Sequence, residues 1–189
     1  MERISEWVVI AYREVRNLPQ LFANPNFMAV ASFIRGDRII SRLQLCVAME
    51  RLNNHMHRSP SFGTLKTKAV TSELLLMLSP SRNITEAMLQ FSCETLASQA
   101  PTGQPISRTP VVVAMYQPTA ALISIATSGT IAGTTMALTE LADHCDLEAC
   151  ATIYGVADHP SVVAAAGTRQ QYVQALESAI VNRIASADL

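Results

Sequence analysis

Apolar positions along the chain fall into two kinds of run. The first kind is short and continuous: Trp7–Tyr12 (WVVIAY), Met28–Ile34 (MAVASFI) and Pro110–Gln117 (PVVVAMYQ). They are too short for helices and rich in β-branched residues, so they predict strands. The near-unbroken apolar character of the third predicts a central strand, and Leu122–Thr127 is expected as its neighbour.

The second kind repeats with helical spacing. Leu18–Phe22 predicts a short helix stopped by Asn24-Pro25-Asn26. Arg38–Asn54 predicts a longer one, with Asp37 as its cap. In it Ile40, Leu43, Val47 and Arg51 share one face and Leu45, Met49 and Leu52 another, which predicts burial from two sides. Thr71–Leu78 is a very apolar helix that must end before Pro80, because the residue preceding proline avoids the helical region. Asn83 with Glu86 three residues on gives a capping-box start to the next helix, the Asn side chain taking the N3 amide and Glu reaching back. Thr139–His144 and Leu147–Tyr154 predict two short helices with Asp146 as a cap between them. Thr168–Ser186 predicts the last helix, with Tyr172, Leu176, Ile180 and Ile184 at i+4 spacing and Val173 and Val181 widening the stripe. Residues 55–63, 97–109 and 158–167 read as loops, and 128–135 as a hairpin or loose loop. Few strands, many helices and no steady βαβ alternation imply an α+β fold: a single compact domain with a small, mostly antiparallel sheet packed with multiple helices.

Composition narrows the function. The 189 residues are 49% apolar and only 15% charged. So little charge leaves apolar surface that a partner would cover. No run approaches the about 18 apolar residues of a membrane span, and the charged start MERISEW is not that of a signal peptide. Cys46, Cys93, Cys145 and Cys150 form no CxxC pair, and the spacing of the last two is wrong for a zinc knuckle. They read as free, mostly buried thiols of a reducing compartment. Net charge is −1, yet residues 35–82 carry eight positive charges against three negative, and residues 83–189 three against nine. That asymmetry suggests one anion-facing surface on an otherwise acidic protein.

Catalytic chemistry is hard to find. His55-Met-His57 lacks a recognisable third metal ligand, and no GxSxG, HExxH or Walker motif occurs. Asp143-His144-Cys145-Asp146 has the atoms of a nucleophilic site, but sequence neighbours on a helix do not face one another. The expectation is a non-enzyme with no metal and no cofactor, and a small-molecule enzyme using His144 and Cys145 is the competing reading.

One stretch is more specific. Lys66 to Phe91 reads KTKAVTSELLLMLSPSRNITEAMLQF. It resembles the signature of the PRPK-binding protein family, the small Cgi-type subunit of the KEOPS complex. The matching positions are Lys66, Thr67, Lys68, Glu73, Leu78, Ser79, Pro80, Asn83, Ile84, Glu86 and Ala87. WVVIAYREVRN, IISRLQLCVAMERL, PVVVAMY, ELADHCDLEACATIYGV and ALESAIVNRIASADL extend the similarity in the family's order. Phe91-Ser92 stands where many members have Phe-Gly, and the loops around Pro60–Gly63, 97–109, 128–135 and 158–167 look long.

The resemblance implies a non-catalytic subunit of an assembly that transfers a threonylcarbamoyl group to tRNA, cytoplasmic and nuclear. Its partners would be the PRPK-type kinase/ATPase subunit, whose activity it supports, indirectly the catalytic transferase subunit, and, as in archaeal members, the tRNA 3′ CCA end. The tRNA candidates are then Lys66, Thr67, Lys68, Arg82, Asn83 and Ile84, where lysines would neutralise phosphates and a helix N-terminus would donate amides. The kinase candidates are Tyr154, Tyr172, Leu176, Ile180 and Ile184, an apolar row for a partner's groove with Val173 and Val181 turned inward; the alternative is that Tyr172, Leu176, Ile180 and Ile184 pack into the protein's own core. A stand-alone RNA-end binder acting without the kinase is the alternative.

Overall fold

A computed structural model describes residues 1–58, 65–99, 109–165 and 167–187. In chain order the strands are β1 (Glu2–Ile4), β2 (Trp7–Arg13), β3 (Ala31–Arg35), β4 (Val111–Tyr116) and β5 (Thr134–Met136). The helices are α1 (Leu18–Phe22), α2 (Pro25–Met28), α3 (Arg42–Arg58), α4 (Val70–Leu78), α5 (Ile84–Phe91) and α6 (Glu94–Gln99). They continue with α7 (Ala120–Ile125), α8 (Leu141–His144), α9 (Leu147–Tyr154), α10 (Pro160–Ala164) and α11 (Arg169–Ser186). The strands form one antiparallel sheet in the order β1-β2-β4-β3, with β5 pairing β2 beyond β1. The fold is α+β, with a small antiparallel sheet among many helices.

Both faces of the sheet are covered, which explains the unbroken apolar runs. Trp7, Val9, Ala11, Ile34, Val112 and Ala114 face a core shared with α3, α4, α9 and α11. Val8, Ile10, Tyr12, Phe33, Val113 and Met115 face a second core under α1 and α2, closed by Val15, Leu18, Leu21 and Phe27. Alternate residues of one strand thus serve opposite cores, and no polar alternation survives.

Several boundaries differ from expectation for local reasons. Asn24 caps α2, its Oδ1 accepting the Asn26 and Phe27 amides, so Met28 is helical and β3 begins at Ala31. Leu122–Thr127 is no strand. Thr119 Oγ1 accepts the Leu122 amide to start α7, and both edges of β4 are already taken by β2 and β3. β1 and β5, each of three residues, and α10, started by His159 and Pro160, are too short to show a period in the sequence.

α3 starts at Arg42 and runs to Arg58, into the loop expected from residue 55. Asp37 is held by Arg35 at 2.7 Å, and Ser41 Oγ accepts the Gln44 amide at the helix start instead. Only one face of α3 is buried: Leu45, Ala48, Met49 and Leu52 are inside, while Leu43 is 48% exposed. Pro60–Gly63 and most of the 97–109 loop lie outside the described residues. No helix of the described residues is long and apolar enough to cross a membrane.

Candidate functional site

The second half of α4 is apolar all round because it is packed all round: Leu74 to Leu78 are all buried. Ser32 Oγ on β3 donates to the Thr71 carbonyl at 2.7 Å and ties the helix to the sheet edge. Its two ends carry the two halves of the signature. Lys66, Thr67 and Lys68 precede the first turn, while Arg82, Asn83 and Ile84 follow the last. Nine helical residues, roughly 13 Å of axis, separate them. The six predicted tRNA-contacting residues therefore stand in two groups, one at each end of α4.

At the first end, Lys66 and Lys68 are exposed. Lys68 lines a pocket of about 360 Å³ together with Ala29, Val30, Leu65, Ala69, Val70, Thr71 and Tyr116. Three segments meet there: the turn from α2 into β3, the first turn of α4, and the end of β4. The Tyr116 amide donates to the Val30 carbonyl at 3.0 Å, and its ring packs on Trp7 with centroids 5.1 Å apart. Its hydroxyl donates to Glu6 at 2.9 Å; burial and then this bond push the phenol up to about 12. One wall is thus aromatic and apolar, one is a helix N-terminus, and the rim carries a lysine. That combination suits a flat, unstacked base with an attached phosphate.

Thr67 is not available as a ligand group in the same way. Its amide donates to Glu73 Oε2 at 3.0 Å, and its hydroxyl lies 2.7 Å from that oxygen and 2.9 Å from the Ala69 carbonyl. At the other end, Asn83 caps α5 as expected, but its Oδ1 accepts the amide of Thr85, the second helical residue rather than the third. Glu86 does not reach back to Asn83; it accepts from Ser81 Oγ at 2.6 Å, while Ser81 Oγ accepts the Asn83 amide. Arg82 and Asn83 are exposed and Ile84 is half-buried.

The row expected to dock a partner points the other way. Leu176, Ile180 and Ile184 of α11 are each 0% exposed and belong to the main core, with half-buried Tyr172 packed against it. Val173 and Val181, expected inward, are only half-buried. Tyr154 is inside as well. Its hydroxyl donates to the Leu78 carbonyl at 2.5 Å and accepts from Gln44 Nε2 at 2.8 Å. Burial holds its phenol well above the usual range. Gln44, which sequence reasoning passed over, is fully buried and also bonds the Ile40 amide and the Arg38 carbonyl.

Residues 12–188 match the family model described as kinase binding protein CGI-121. The chain belongs to that family. No curated protein matches it. Family membership agrees with the resemblance carried by the Lys66–Phe91 signature, and a kinase-binding family needs a face for its kinase.

The surface of α3 carries an open groove. Cys46, Val47, Glu50, Arg51 and Asn54 of α3, with Ala185 of α11, line a groove of about 270 Å³. Leu43 lies one turn earlier on the same helical face. The Arg51 guanidinium donates to the Ala187 carbonyl and joins the two helices across the groove. Leu43 and Val47 belong to a face the sequence predicts to be buried, and here it is exposed at Leu43 and half-buried at Val47.

The His144–Cys145 pair is poorly suited to nucleophilic chemistry. His144 is exposed, whereas the Cys145 sulfur is buried 3.4 Å from that of Cys150. The contact with Cys150 and burial hold the Cys145 thiol far above its usual range, and a thiol kept protonated is a poor nucleophile. All four cysteines are free.

Proposed function

We propose that this chain is the non-catalytic, kinase-binding subunit of a KEOPS-type assembly, working in cytoplasm and nucleus, and that it holds the 3′ CCA end of tRNA for threonylcarbamoyl transfer by another subunit. The kinase partner follows from the family, described as kinase binding. The tRNA reading rests on one observation: the pocket where Lys68, the first turn of α4 and Tyr116 meet. A single-stranded end needs phosphate neutralisation together with a surface for an unstacked base, and this pocket combines both. The α3 and α11 groove is the face we assign to the kinase, because it opens between two long helices and sets the apolar Cys46, Val47 and Ala185 beside the polar Glu50, Arg51 and Asn54.

Two measurements test this. The chain and its organism's PRPK-type kinase should co-elute from a sizing column as a one-to-one complex; separate elution of two folded proteins would leave the stand-alone RNA-end binder. Intact tRNA should bind more tightly than tRNA trimmed of its CCA end. Lys66→Glu with Lys68→Glu should remove that difference and lower the salt slope by about two. Equal affinity for intact and trimmed tRNA would end the 3′-end reading.

A further inference from the structure

Among the described residues, Glu73 is the charged side chain that the fold buries, at 1% exposed. It stands in α4 beside Leu74, Leu75 and Leu76, where an apolar residue would pack without desolvating a carboxylate. A buried charge is retained at a cost unless donors compensate it. The compensation here is specific: the amide and the hydroxyl of Thr67 both address Glu73 Oε2, at 3.0 and 2.7 Å. The residue after Thr67 is Lys68, whose φ is +59°. That left-handed conformation is disfavoured for a side chain bearing a Cβ and persists only where neighbouring contacts fix it. Immediately afterwards Ala69 returns to extended backbone and α4 begins. The clasp between Glu73 and Thr67 thus fixes the chain on one side of the strained lysine, and the helix fixes it on the other.

We infer that Glu73 and Thr67 are positioning residues for the Lys68 pocket: they hold Lys68 in a left-handed turn so that it lines the cavity with Tyr116 and the first turn of α4. The inference rests on the tRNA 3′-end reading proposed above. Neither Glu73 nor Thr67 touches the nucleic acid in this scheme. Thr67, expected from the resemblance to contact tRNA, acts through Lys68.

The test uses the full chain with its kinase and compares intact with CCA-trimmed tRNA. Lys68→Ala should abolish the preference for intact tRNA. Glu73→Leu, which suits an apolar site, should keep co-elution with the kinase while lowering that preference about tenfold. Thr67→Ala should lower it in the same direction, and Thr67→Ser, which keeps the hydroxyl, should restore it. A Lys68→Ala protein with undiminished preference would overturn the 3′-end reading itself. If Lys68→Ala abolishes the preference but Glu73→Leu leaves it intact, the positioning role is wrong and the reading stands. Should Glu73→Leu fail to fold, the Thr67 pair decides: equal preference in the alanine and serine variants overturns the clasp.

Discussion

Leu43 and Val47 on α3 and Leu176, Ile180 and Ile184 on α11 are both apolar rows at helical spacing, and they face opposite ways. The α11 row is fully buried in the core it shares with α3, while Leu43 is 48% exposed and Val47 borders an open groove. In sequence the longer and more regular row looks like the better docking surface. In the structure regularity marks the opposite: a row that packs against a fixed core repeats strictly. The shorter row borders a groove that mixes Cys46, Val47 and Ala185 with Glu50, Arg51 and Asn54, and a mixture of apolar and polar groups is what an interface carries. Periodicity identifies a face of a helix, and only the neighbours decide whether it meets the protein or a partner.

The comparison is broken most severely at its buried side. Leu176→Glu or Ile180→Glu places an unpaired carboxylate among 0% exposed residues. We expect a loss of about 4 kcal/mol or more, enough to unfold or aggregate a typical domain. Thermal melting with solubility reads this out. A variant that melts normally and loses only kinase binding would return the α11 row to the surface.

Tyr154→Phe probes the same side more gently. The change removes a hydroxyl that donates to the Leu78 carbonyl and accepts from Gln44, both buried, so two groups lose a partner. The expected cost is about 1–3 kcal/mol by denaturant titration, with kinase affinity unchanged once the protein is folded. A selective fall in kinase affinity would make Tyr154 an interface residue after all.

These residues also show what the sequence could and could not reveal. The strands of the sheet centre were legible because burial on two faces leaves runs such as VVVAM, which survive any choice of register. The caps at Asn83 and Asp146 were legible because capping is decided within a few residues. The Lys68 pocket was only half legible. Lys68 belongs to the signature, but Ala29 and Val30 lie 39 and 38 residues before it and Tyr116 lies 48 after it, brought together by β3 and β4 pairing. Glu73 was visible in the signature, yet its role depends on the chain folding back over one helical turn to present Thr67. Gln44 and its bond to Tyr154 span 110 residues and left no local trace.

The smallest expected change in stability lies on the exposed side of the comparison and carries the largest functional consequence there. Leu43→Glu and Ala185→Glu alter exposed positions on α3 and α11 that flank the groove. Each should leave stability within about 0.5 kcal/mol of the parent, because surface substitutions away from caps and cores cost little. Each should weaken kinase binding about tenfold, which is 1.4 kcal/mol of affinity, since a carboxylate beside the groove would be desolvated against the partner. Calorimetric titration of the kinase beside a melting curve separates the two quantities. If both variants bind the kinase as the parent does, the groove is not the docking face. The kinase must then meet another surface, and the two apolar rows would differ only in exposure and not in function.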